Sequence, residues 1–159
     1  MKHFAPWWAE LGLVLLVLAG GVEALHFQNT VFSAADLLIM TAEIRSTAQT
    51  SGHGYAWLSN TTADNLGIAK PTTDSIDRSM LSFAPTNRNG VQNGAFTITV
   101  NGLSQDGCRA IASTDLMDDL IVNGKTFLAS GRPQHEAFEQ CHSTFWRWSD
   151  KNTVVLMGA

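Results

Sequence analysis

Five side chains with metal-binding or acid–base chemistry crowd into one short stretch: His135, Glu136, Glu139, Cys141 and His142. Zinc is the obvious candidate, but the spacing fits neither the HExxH nor the CxxC arrangement that would bring several ligands to one ion. The stretch therefore reads as a solvated turn, and no metal is expected. Trp146, Arg147 and Trp148 have the types for cation–π or sugar stacking. Alternation puts the two indoles on one face, which fits packing at a core or an edge. Asp115, Asp118 and Asp119 form a carboxylate cluster that reads as a helix end exposed to water. A serine, His53 and an aspartate supply the types for nucleophilic catalysis without any local signature. No phosphate loop or cofactor motif is present. The sequence predicts no enzyme and no cofactor.

One ionisable residue stands where ionisable residues are expensive. From Phe4 to Val22 the chain runs for 19 residues with a single charge, Glu10. About 20 apolar residues span a bilayer core of about 30 Å, so this segment is just long enough to cross. Lys2 and His3 precede it, no Lys or Arg follows until Arg45, and Trp7 and Trp8 suit an interface. The positive-inside rule then puts the N-terminus in the cytoplasm and the remainder outside. The same stretch is also readable as a signal peptide cleaved near Ala19-Gly20-Gly21 or after Ala24.

Composition agrees. The chain has 159 residues, and only 15% of them are charged, below the roughly 25% of an average soluble domain. Hydrophobic residues make up 45%, so the deficit is not disorder. A net charge of −4 argues against a nucleic-acid surface. The two cysteines, Cys108 and Cys141, both fall in the external part. In an oxidising compartment a single pair is most simply a disulfide. Two unpaired buried thiols are the alternative.

The elements that position these residues follow from periodicity. No proline occurs between Pro6 and Pro71, and Leu25, Phe32, Ala35, Leu38, Ile39 and Ala42 recur at helical steps as one apolar face. Gln28, Asn29, Asp36, Glu43 and Arg45 fall elsewhere on that helix, and Ser51-Gly52-His53-Gly54 stops it. A helix from Leu11 to Gln49 is about 58 Å long, its first half in lipid and its second packed on an external domain. Tyr55 to Asn93 reads as a long structured loop with a helical piece at Thr62–Leu66, a short strand at Met80–Phe83 and a turn at Asn87–Gly90. Strands are expected at Ala95–Asn101, across Leu120–Leu128 with Asn123-Gly124 as a hairpin or bulge, and at Thr153–Met157. Thr144–Trp148 is a further possible strand. A helix is expected over Asp106–Asp119 with Asp106 as N-cap, and another turn of helix at His135–Gln140. The fold class is α+β, with the long helix covering one face of a small antiparallel sheet.

These elements resemble the type IV pilin family, and the head resembles the type IVb, PilS-like subgroup. The resemblance rests on Gly54-Tyr55-Ala56-Trp57-Leu58, Leu66-Gly67-Ile68-Ala69-Lys70-Pro71, Gly94-Ala95-Phe96-Thr97-Ile98-Thr99-Val100 and Cys108 opening a helix. Ile121-Val122-Asn123-Gly124, the late Cys141 and Asn152-Thr153-Val154-Val155 complete it. It implies a homo-oligomeric helical filament built from subunits held in the bacterial inner membrane. Those subunits would lose a leader to a prepilin peptidase and be handled by a pilus assembly machinery. Residues 1–5 would be the leader, 6–51 the long helix and 52–159 the globular head, with cleavage between Ala5 and Pro6. Glu10 matches the family's glutamate that pairs with the terminal amine during assembly, and Cys108–Cys141 matches its disulfide. The family carries glycine and an apolar, methylatable residue at the cleavage point, where Ala5 and Pro6 stand here. That departure leaves open a different processing site, an unusual or minor member, or an unprocessed chain. Roles such as adhesion, aggregation and DNA transfer (conjugation) are all compatible with such a fibre. The competing reading is a monomeric secreted or tethered binding domain, and a small secreted hydrolase is the third.

Overall fold

The computed structural model describes residues 35–68, 78–114, 117–128, 134–143 and 151–159. The expected leader, apolar segment and Glu10, and the possible strand with Trp146 and Trp148, lie outside these residues. Among the described residues no helix is long and apolar enough to cross a membrane.

The helix α1, described over 35–51, packs on the head through Leu37, Met40, Thr41, Ile44 and Ala48, all buried. Steps of three and four residues put these side chains on one stripe. This is not the stripe that periodicity suggested. Leu38 and Ile39 are 49% and 45% exposed, and Ala35 and Ala42 are exposed with them. Asp36, assigned from sequence to a position off the apolar face, is buried at 2% exposure. Over residues 35–51 the helix carries two apolar stripes, and the head covers the one that excludes Ala35, Leu38, Ile39 and Ala42. Thr41, Thr47, Thr50 and Ser51 return their hydroxyls to carbonyls three or four residues back. Gly52 and Gly54 then take φ of +69° and +59°, which ends the helix as expected.

Among the described residues, a five-stranded antiparallel sheet faces that stripe. Its strands are β1 (Leu81–Arg88), β2 (Val91–Leu103), β3 (Asp119–Val122), β4 (Lys125–Leu128) and β5 (Asn152–Gly158), in spatial order β1-β2-β5-β3-β4. The last strand is thus inserted between two hairpins. Each hairpin closes through Asn-Gly with both residues at positive φ, Asn89-Gly90 and Asn123-Gly124, the turn whose twist matches paired strands. Alternation sends Leu81, Phe83, Ile98, Val100, Leu120, Val122, Phe127, Val154 and Leu156 into one core with α1. The loop expected over Tyr55 to Asn93 is much shorter, because β1 runs on to Arg88. Pro85 is accommodated because β1 is an edge strand.

Three short α-helices flank the sheet among the described residues. The helix α2 (Asn60–Asn65) starts at Ser59, whose side chain and that of Thr62 cap each other's backbone. The helix α3 (Gln105–Ala112) is capped by Ser104, not by Asp106, which lies in its first turn. It also stops seven residues before the expected Asp119, because Ser113 and Thr114 bond back to Ala110 and Ile111 and Asp119 pairs in the sheet. The helix α4 (Gln134–Glu139) falls where a turn of helix was expected.

The two faces of α1 make opposite predictions. Ile44→Ala should destabilise the head by roughly 2–5 kcal/mol, the usual cost of a buried cavity, whereas Ile39→Ala should change stability by less than about 0.5 kcal/mol. Equal losses in urea denaturation would contradict this orientation of the helix.

Candidate functional site

Near one end of the sheet, the covalent and polar bonds of the head converge. Cys108 of α3 and Cys141, just beyond α4, form a disulfide with a Cα–Cα distance of 5.8 Å, and both residues are buried. The Gln105 side chain donates to the Cys141 carbonyl at 3.0 Å. Beside them the buried amide of Asn152 is fully used. Its Oδ1 accepts from the His142 amide and from Asn123 Nδ2, each at 2.8 Å. Its Nδ2 donates to the carbonyls of Leu103 and His142 at 3.1 and 2.9 Å. Asn123 completes the link: its Nδ2 also donates to the Gln140 carbonyl at 2.6 Å, and its Oδ1 accepts from the Thr153 amide at 2.8 Å. Two asparagines thus fasten the disulfide-bounded segment to β5 and to the β3–β4 turn. Buried polar groups satisfied this completely specify one arrangement.

The sequence offered no reason to give Asn152 this role. It stands at the start of a strand, and Asn123 reads only as a turn residue. What could have drawn attention to them is that asparagine is poorly suited to strand interiors, so one bordering a strand has work beyond the ladder.

The residues with metal or acid–base chemistry are mostly dispersed. His135 lies 3.4 Å from Glu139, Glu136 lies 3.7 Å from Lys125, and Cys141 is committed to its disulfide. His142 contributes its backbone to the Asn152 network, and His53 is exposed in the turn after α1. Among the described residues no three His, Cys, Asp or Glu side chains gather as a metal site. Asp118 and Asp119 are not the exposed helix end expected of them. Both face Arg88, Asp118 in a close ion pair and Asp119 at 3.7 Å, and Asp118 also accepts from the Ala159 amide. Asp115, Trp146, Arg147, Trp148, Ala5, Pro6 and Glu10 lie outside the described residues.

A second ion pair holds α2 against the edge strand. Arg78 takes both carboxylate oxygens of Asp64, at 2.5 and 2.9 Å, and donates to the Leu81 carbonyl at 2.7 Å. Asn60 accepts from the Phe83 amide, so part of the outer edge of β1 is occupied. Arg45 of α1 donates to the Ala159 carbonyl at 3.2 Å, and the Tyr55 ring packs at a tilt on Phe96 with centroids 4.8 Å apart. Burial pushes the Tyr55 phenol above its usual value.

A surface with two discrete features results: a stapled corner and an uncovered apolar stripe on α1. No protein-family model and no curated protein matches the sequence. Solved structures do. The type IV pilin TcpA from Vibrio cholerae El Tor biotype superposes with a TM-score of 0.56 at 18% identity, over 83% of this chain and 99% of that one. A type IV b pilin from Salmonella typhi superposes with a TM-score of 0.54 at 22% identity, over 77% and 95%. The fold is that of a type IV pilin. Nearly the whole of each of those two pilin chains is matched.

Breaking the corner has a graded cost. Cys108→Ser should lower stability by roughly 3–4 kcal/mol, the chain-entropy value for a loop of 33 residues. Asn152→Ala should destabilise the oxidised protein separately, and unchanged melting of that variant would show the network to be dispensable.

The Asp64 pair predicts an acid response. The hydrogen bonds from Arg78 hold the Asp64 carboxyl below the usual carboxylate range. A lowered folded value means the contribution is complete above the ordinary carboxylate range and is lost as pH falls through the lowered one. Arg78→Ala should return the Asp64 titration, followed by NMR, to its ordinary midpoint, and an unmoved midpoint would refute the pairing.

Proposed function

We propose that this chain is the structural subunit of a type IVb pilus filament and has no catalytic role. The observation that carries the reading is the exposed stripe on α1. Ala35, Leu38, Ile39 and Ala42 face away from the head while Leu37, Met40, Ile44 and Ala48 are buried against it. In sequence, that stripe continues back through Phe32 and Leu25 toward the apolar run ending at Val22. A helix with one stripe on its own head and another free is suited to packing against other copies, where apolar area would be removed from water. The pilin fold supports the same assignment.

On this reading residues 6–51 form the assembly helix and 52–159 the outward head, and residues 1–5 are a leader removed by a prepilin peptidase. The subunit waits in the inner membrane until the assembly machinery extracts it into an extracellular fibre. Glu10 supplies the charge that a neighbouring terminal amine neutralises, since an ionised carboxylate in an apolar bundle requires a partner.

Mass spectrometry of surface material sheared from cells tests the reading directly. A mature N-terminus at Pro6, with Glu10 retained in a polymer, is the expected result, and a chain starting after Ala24 rejects it. Glu10→Ala and Leu38→Asp should each leave the head folded and disulfide-bonded while reducing polymer yield. Normal filaments from Leu38→Asp would remove the stripe from the assembly surface.

A further inference from the structure

Four asparagines in the head are each followed by glycine: Asn89, Asn93, Asn101 and Asn123. Glycine after asparagine offers the least steric hindrance to attack of the backbone nitrogen on the side-chain amide, because it has no Cβ. We propose that Asn89-Gly90, at the tip of the β1–β2 hairpin, is a site of spontaneous deamidation in the folded protein, and that the fold shields Asn123-Gly124 from the same reaction. The Gly90 nitrogen attacks the Asn89 side-chain carbonyl carbon, a C–N bond closes a succinimide and ammonia leaves. Water then opens the ring at either carbonyl to give aspartate or isoaspartate.

The two turns share a backbone conformation, with φ of +52° at Asn89 and +48° at Asn123, so the difference between them lies in the side chains. Asn89 is exposed, and its amide has no hydrogen bond among the described residues. The Asn123 amide is held by three: to the Gln140 carbonyl, to Asn152 Oδ1 and from the Thr153 amide. Rotating it into the reactive geometry breaks all three. The other two sites fall between these extremes. Asn101 accepts from the Thr153 hydroxyl at 3.0 Å, and Asn93 is half-buried where its backbone bonds Asn87 and Tyr55.

The consequences differ as sharply as the reactivities. A carboxylate at position 89 adds a negative charge beside Arg88, which already serves Asp118 and Asp119, in a chain whose net charge is −4. A carboxylate at position 123 would point oxygen at two acceptors, the Gln140 carbonyl and Asn152 Oδ1, and would unfasten the disulfide corner. The fold therefore exposes the turn whose amide fastens nothing and protects the one whose amide fastens the disulfide corner. This does not depend on the filament reading.

Incubation of the full oxidised protein at mildly alkaline pH, followed by peptide mapping with mass spectrometry, tests the inference. Conversion at Asn89 should be at least about five-fold faster than at Asn123, the factor set by losing even one hydrogen bond of ordinary net strength. Reduction in denaturant should bring the two rates together. Asn89→Asp, which keeps a residue suited to the turn, should abolish the earliest mass gain. Equal rates in the folded protein, earlier conversion at Asn93, Asn101 or Asn123, or an early mass gain surviving in Asn89→Asp would overturn it.

Discussion

Burial of one stripe of α1 against the inner face of the sheet is the contact on which the rest of the head depends. Leu37, Met40 and Ile44 are essentially inaccessible, and they meet a sheet whose inward residues are almost all aliphatic or aromatic. A short antiparallel sheet with one bare apolar face is not stable alone, and a single helix in water is marginal. Each supplies the surface that the other must hide. The polar contacts that accompany this packing, such as Arg45 to Ala159, orient the helix but add little area.

Placing β5 in the middle of the sheet makes the fold dependent on its most distant contacts. The strand pairs with β2 on one side and β3 on the other, so neither hairpin joins the other until the end of the described chain arrives. Contacts of such sequence separation are slow to form, because loop-closure entropy precedes any gain. The disulfide and the Asn152 network act at the same place. They tie the long segment before β5 to the turn and strand it must lie beside. The covalent link limits the unfolded chain, while the asparagines select one native arrangement of it.

The surface left uncovered is as informative as the core. Leu38 and Ile39 remain accessible on α1 although the head buries residues on either side of them in sequence. Cation–carboxylate pairs at Arg78 and Arg88 close the flanks of the sheet and leave the apolar stripe as a distinct feature. The superpositions on pilins establish the fold from backbone geometry, and the stripe is a separate observation of side-chain exposure.

Local information determined much of this protein. Asn89-Gly90 was legible as a turn and Asn123-Gly124 as a hairpin or bulge, because residues tolerant of positive φ fit such positions. Alternating β-branched runs marked the strands from Ala95 and Thr153, and the end of α1 was legible in Ser51-Gly52-His53-Gly54. The α+β class followed from their order. The tertiary structure alone decided which of two apolar stripes the head covers, since periodicity assigns residues to faces but not faces to neighbours. It likewise decided that Ser104 rather than Asp106 caps α3, that Asp118 and Asp119 meet Arg88, and that Asn152 and Asn123 share their amides. Apart from the Ser104 cap, a local bond to the Gly107 amide, those outcomes depend on groups distant in sequence being brought within a few ångströms, a condition no local pattern encodes.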